Sequence, residues 1–121
     1  MHVAKDHLQH LGRVVGNGHC VALVQRTSGV GHTSTWRRGP QVRGGSVAAG
    51  TVIATFGPTG RYENDTGGRS HAAIFLAEAA DGLRVLDQWV GQPARERLIR
   101  FRGGQGQPVN DGDSYFVVVT A

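Results

Sequence analysis

The chain contains one cysteine, Cys20, directly after the Gly16-Asn17-Gly18-His19 tetrapeptide. A thiol acts as a nucleophile in its thiolate form. That form is favoured at a helix start, where unpaired N–H groups and the macrodipole attract negative charge. Val21, Leu23 and Val24 follow, an apolar run that suits a buried helix or a strand. Read as a helix, it begins at or near Cys20. A nucleophilic cysteine needs a base within hydrogen-bond reach. His71 opens the apolar segment HAAIFLAE after a polar loop, so it can point into a cleft between sheet and helix. A third group usually orients such an imidazole. In an antiparallel hairpin the start of one strand lies beside the end of the next, which makes Asp87 and Gln88, in VLDQW, the candidates. A four-residue loop at 79–82 would pair Asp87 with Ile74, on the opposite face from His71. An odd loop or a bulge would bring Asp87 round, and a six-residue loop would set Gln88 opposite His71. Both remain open on the sequence. The plainer alternatives are a small buried cysteine, a cap histidine and a surface aspartate paired with an arginine. His7, His10, His19 and Cys20 include zinc-type ligands, but no compact motif such as HExxH is present. No metal or other cofactor is expected.

The elements that must position these groups follow from composition and pattern. A length of 121 residues fits one domain, here 1–121. Glycine, at 19 residues, is well above the usual ~7% and predicts turns and short strands. The segment 3–11 places Val3, His7, Leu8 and Leu11 on one helical face. Residues 27–50, rich in Gly, Ser, Thr and Arg, read as a long surface loop anchored by Trp36, and 61–70 as a second loop. Strands are predicted at 51–56, 71–78, 83–90, 95–101 and 114–120. The expectation is an α+β fold, with N-terminal helices packed on an antiparallel sheet of about five strands.

Charge narrows the partners. The net charge is +4, and from His7 to Tyr62 there is no Asp or Glu but six arginines: Arg13, Arg26, Arg37, Arg38, Arg43 and Arg61. A basic half suits an anionic partner such as nucleic acid or a cell-wall polymer. Few aromatics and a single lysine, Lys5, make nucleic acid the weakest of these. No apolar run approaches the ~18 residues of a membrane span, so no stable membrane insertion is expected. A single cysteine excludes an internal disulfide framework. The polar, His-rich start has no apolar signal-peptide core. The chain is therefore expected to stay cytoplasmic until exported by a non-classical route.

Three segments together resemble a known family. GNGHCVALVQ is similar to the nucleophile segment of the papain-like CHAP and NlpC/P60 cysteine amidases. SHAAIFL resembles their histidine strand, and VLDQW the strand that carries an acidic residue followed by Gln. With the Trp and Gly of the following loop and the IATF strand, the resemblance extends to small type VI secretion amidase effectors and covers roughly residues 12–120. It implies a papain-like fold with Cys20 as nucleophile, His71 as base and Asp87 as the orienting acid. Many CHAP domains carry Asn two residues after the acid; here that position is Trp89.

The leading expectation is a cysteine amidase or endopeptidase that cuts peptidoglycan stem peptides in the periplasm or at the wall. A cognate immunity protein would be its partner if it is a toxin. The oxyanion would be held by the Cys20 N–H and a donor from the 16–19 turn. Trp36, Tyr62 and Gln88 are the candidate substrate-binding residues, with Trp89 assigned to the core. A non-catalytic papain-like module binding wall polymer or a protein is the main rival.

Overall fold

The computed structural model describes residues 2–65 and 67–121. Thr66, within the loop predicted over 61–70, and Met1 lie outside the described residues. One α-helix, α1 (Cys20–Ser28), precedes six strands: β1 (Trp36–Gln41), β2 (Val52–Ala54), β3 (Ala72–Ala79), β4 (Gly82–Trp89), β5 (Gln92–Arg100) and β6 (Phe116–Thr120). They form a single sheet in the order β1-β6-β2-β3-β4-β5, with every neighbouring pair antiparallel.

The helix starts and stops where its sequence allows. His19, in extended backbone, leads into it, and Gly29 at φ 72° ends it, its N–H bonding the Gln25 carbonyl. A left-handed terminal residue is where glycine costs least. Leu23, Val24 and Thr27 share the buried face of α1, which packs against β3 and β4. Side chains alternate across a strand, and β3 divides its residues accordingly. Ala72 and Ile74 join the core under α1 with Leu23, Val24, Trp36 and Leu86. Ala73 and Phe75 join a second core on the other face with Ile53, Leu83, Val85, Ile99 and Tyr115.

Two expectations are corrected. The segment 3–11 is not an α-helix: only His7–His10 form one 3-10 turn, and Val3 makes an isolated bridge to Thr51. Asp6 enters that turn in left-handed backbone at φ 51°. Leu8 and Leu11 are about half exposed, so the apolar stripe finds no surface to pack on. The helices are therefore one among the described residues, and the strands number six rather than five. The extra strand, β1, lies inside the predicted 27–50 loop. Its WRRGPQ sequence has no apolar alternation. It survives because it is an edge strand, where a proline without N–H is tolerated, and because Gly39 admits the Val117 carbonyl, which would stand 2.5 Å from any Cβ.

The docking of α1 rests on few side chains, and Leu23 is fully buried among them. Truncation of Leu23→Ala should lower the unfolding free energy by about 2–5 kcal/mol, the cost of a large-to-small core change. Urea denaturation followed by tryptophan fluorescence measures this directly.

Candidate active site

Cys20 opens α1 and is half-buried. Its sulfur faces three groups: the His71 imidazole, the Ala72 backbone and the Tyr62 hydroxyl, the last at 3.8 Å. His71 is buried just before β3. Thr55 fixes its backbone in both directions. The Thr55 hydroxyl accepts the His71 N–H at 3.0 Å, and the His71 carbonyl accepts the Thr55 N–H at 3.0 Å. Nε2 of His71 meets Asp87 Oδ2 at 2.7 Å, which leaves Nδ1 for the thiol. Rings of Trp89 and Tyr115 stand edge-on to the imidazole, with centroids 6.4 and 6.5 Å away.

The register problem is solved by a bulge. The turn between β3 and β4 is Ala80-Asp81, and Glu78 does pair with Leu83. Between Phe75 and Ala77 the register shifts, so that Phe75 pairs with Val85 and Ile74 with Leu86. The extra residue, Leu76, changes the parity of everything beyond it. Asp87 thereby shares a face with His71. Gln88 faces the other way and does not orient the imidazole.

Gln88 has a different task, and its placement as a substrate contact is corrected. Its side chain is fully buried. Oε1 accepts the Val15 N–H at 2.9 Å, and Nε2 donates to the carbonyls of Val15 at 2.8 Å and His19 at 2.9 Å. One amide thus holds both ends of the turn that delivers Cys20. Trp36 is also corrected: it is fully buried and supports Tyr62 from behind, at 4.9 Å between centroids. Trp89, assigned to the core, is 39% exposed and lines the cleft. Tyr62 is the one expected wall residue that stands there.

That cleft has a volume of about 780 Å³ and contains Cys20 and His71. Its polar lining includes four neutral carboxamides, Asn17, Asn64, Gln107 and Asn110, beside Asp65 and Arg97. The 16–19 turn offers less to an oxyanion than expected. The Gly18 N–H bonds Val15 O, and the His19 N–H bonds Asn17 Oδ1. Among the described residues no group of three or more His, Cys, Asp and Glu side chains could hold a metal ion.

Electrostatics activate the sulfur. Burial alone would push the Cys20 thiol up. The His71 hydrogen bond and charge, the Ala72 backbone and the Tyr62 hydroxyl outweigh it, and the thiol lies below its ordinary value. Burial would likewise pull His71 down, but its hydrogen bonds to Asp87 and Cys20, and their charges, hold it at about 9. The two shifts run together: the thiol is drawn down and the imidazole up, because each group favours the ionised form of the other. Tyr62 is pushed well above the usual phenol range, by burial first and then by Cys20, so its hydroxyl remains a donor.

Sequence reasoning missed Thr55, Tyr115 and Arg97. Arg97, on β5, donates from Nε to Asp87 Oδ2 at 2.7 Å. The available signal was an aspartate in an apolar strand, which needs more than one donor when buried. Thr55 and Tyr115 carry no comparable mark.

Comparison with known proteins agrees in sequence and in fold. Residues 2–118 match the family model of domesticated amidase effector 2. The type VI secretion amidase effector 2 protein of Salmonella typhi is 39% identical over 118 residues, covering 86% of this chain and 87% of that protein. The domesticated amidase effector 2 of Ixodes scapularis is 39% identical over 105 residues, covering 82% of this chain and 69% of that protein. A solved structure of type 6 secretion amidase effector 2 superposes with a TM-score of 0.83 at 34% identity, covering 98% of this chain and 94% of that one.

The lowered thiol gives a pH signature. Alkylation of Cys20 by iodoacetamide should rise with a midpoint below the 9.0 of an ordinary thiol. In His71→Ala the midpoint should move above the wild-type value, because burial then acts with less opposition. Stopped-flow or mass-spectrometric alkylation rates across pH 4–10 check both.

Proposed function

This chain belongs to the domesticated amidase effector 2 family, and we propose that it is a cysteine amidase that hydrolyses amide bonds in peptidoglycan stem peptides. The observation that carries the reading is the coupled set Cys20, His71 and Asp87 at the cleft, in a fold shared with an amidase effector. In this mechanism the Cys20 thiolate adds to the amide carbonyl carbon, and the carbonyl π pair moves to oxygen. The Cys20 N–H, at the start of α1, and the Tyr62 hydroxyl, 3.8 Å from the sulfur, are the donors assigned to that oxyanion. As the C–N bond breaks, the His71 imidazolium gives its proton to the leaving nitrogen. The neutral imidazole then takes a proton from water, which adds to the thioester. Collapse releases the carboxylic acid and restores the thiolate–imidazolium pair.

Asp87 orients the ring by holding Nε2, in the role that a third group plays in such triads. The papain-like character of the fold belongs to this proposal: a nucleophile at a helix start faces a histidine on the adjoining sheet. The partners proposed are peptidoglycan and, as for an effector, a cognate immunity protein. Arg37 and Arg61 meet in an isolated bridge at the β1 edge beside exposed Arg38, a basic surface suited to an anionic wall. A non-catalytic binding module would instead have a thiol that is sealed off and slow to react, and Cys20 lines the open cleft.

Cys20→Ala and His71→Ala should each abolish release of peptide fragments from purified sacculi, read by chromatography and mass spectrometry. Asp87→Ala should lose about 10²-fold or more in kcat/KM, the range of general acid–base contributions. Wild-type rates in either of the first two variants would end the cysteine mechanism.

A further inference from the structure

We propose that Arg97 is a positioning residue that shares one oxygen of Asp87 with His71, and so sets how readily the imidazolium surrenders its proton. Asp87 is fully buried. Its Oδ2 receives Nε2 of His71 and Nε of Arg97, each at 2.7 Å. Its Oδ1 is buried with no hydrogen-bond donor among the described residues. Two cations thus converge on one atom of one anion. Arg97 reaches it from β5, where it pairs with Val85 of β4. The side chain is 22% exposed, and the Trp89 ring lies beneath the guanidinium at 5.1 Å.

The consequence follows from charge balance. With His71 alone as partner, the transfer of its proton to a leaving amine would strand a buried carboxylate with no counter-charge, which is costly. A guanidinium cannot be deprotonated in this range. Arg97 therefore keeps Asp87 compensated through the step in which His71 is neutral, and makes that state cheaper to reach. The other groups that face the imidazole are Cys20 from α1, Trp89 from β4 and Tyr115 from the turn before β6. Of these only Cys20, whose thiol is held below its ordinary value, ionises to an anion, and it acts in the opposite sense to Arg97. Removal of Arg97 thus leaves the Asp87 carboxylate with no second cation near the ring, and the ring must become more basic.

The inference rests on the amidase reading for its catalytic meaning, but its test needs no substrate. The ring of His71 is titrated by NMR in the full chain, with the resonance assigned by its loss in His71→Ala. Arg97→Gln should raise the His71 midpoint by about one pH unit, in the range of a neighbouring charge. Arg97→Lys, which restores the charge, should bring it most of the way back. Should Arg97→Gln not fold, Arg97→Met keeps the aliphatic stem against Trp89 and carries the same expectation. An unchanged or lowered midpoint with only a loss of thermal stability would overturn the proposal, making Arg97 a plain tie between β4 and β5. In the sacculus assay the basic limb of activity should rise with the NMR midpoint. A shifted midpoint without any sacculus cleavage would spare this inference and remove the amidase reading instead.

Discussion

A carboxylate sealed from water has to find its counter-charges within the protein, and Asp87 imposes that constraint on the whole site. An isolated buried carboxylate is too costly to keep ionised. Asp87 is satisfied by His71, at the start of β3, and by Arg97, on β5. Those two strands are its neighbours in the sheet, so strand order and charge balance are one requirement. The chain of contacts continues through His71 to Cys20. Acidic and basic groups alternate along it: thiol, imidazole, carboxylate, guanidinium. Each acid has a base beside it, so the site can be largely buried without stranding a charge.

Two adjacent residues on β4 divide the labour because a strand presents them to opposite faces. Asp87 turns toward the imidazole, and Gln88 turns toward the turn before α1. One strand therefore positions both Cys20 and His71. The arrangement depends on the single extra residue at Leu76. Without the bulge, Asp87 would face the α1 core and Gln88 the histidine, and neither side chain fits those surroundings. A carboxylate in an apolar core would lack donors, and the turn would lose three hydrogen bonds at once. Such bulges re-aim side chains next to functional sites.

The sequence made the ends of this geometry readable but not its middle. Cys20 after a Gly-rich turn, and His71 at the head of an apolar run, are local signals. Helix start and strand start are each encoded within a few residues, and α1 and five of the strands lie close to their expected positions. The choice between Asp87 and Gln88 was not local, since it depended on register. A bulge at Leu76 leaves no mark in AAIFLAE. The role of Trp36 was misread for a related reason. Its surroundings look like a loop, but β1 is held by partners on β6, far away in sequence. The apolar pattern at 3–11 misled in the opposite direction. Periodicity announces a helix only if a surface exists to receive its face, and the sheet offers none there.

The separation of charge from the cleft has its own logic. Arg37, Arg38 and Arg61 of the acid-free half stand at the β1 edge, whereas the cleft is lined in part by four carboxamides, Asn17, Asn64, Gln107 and Asn110. Long-range attraction of an anionic polymer needs net charge but no geometry. On the proposed amidase reading, recognition of a peptide next to the sulfur needs the reverse. Carboxamides can donate and accept at once, as a peptide backbone requires, and they add no field to a thiolate whose ionisation depends on a balanced neighbourhood. A free arginine or glutamate placed beside Cys20 would shift that balance directly. The charged groups that do line the cleft are already committed, Arg97 to Asp87 and Asp65 to Arg69.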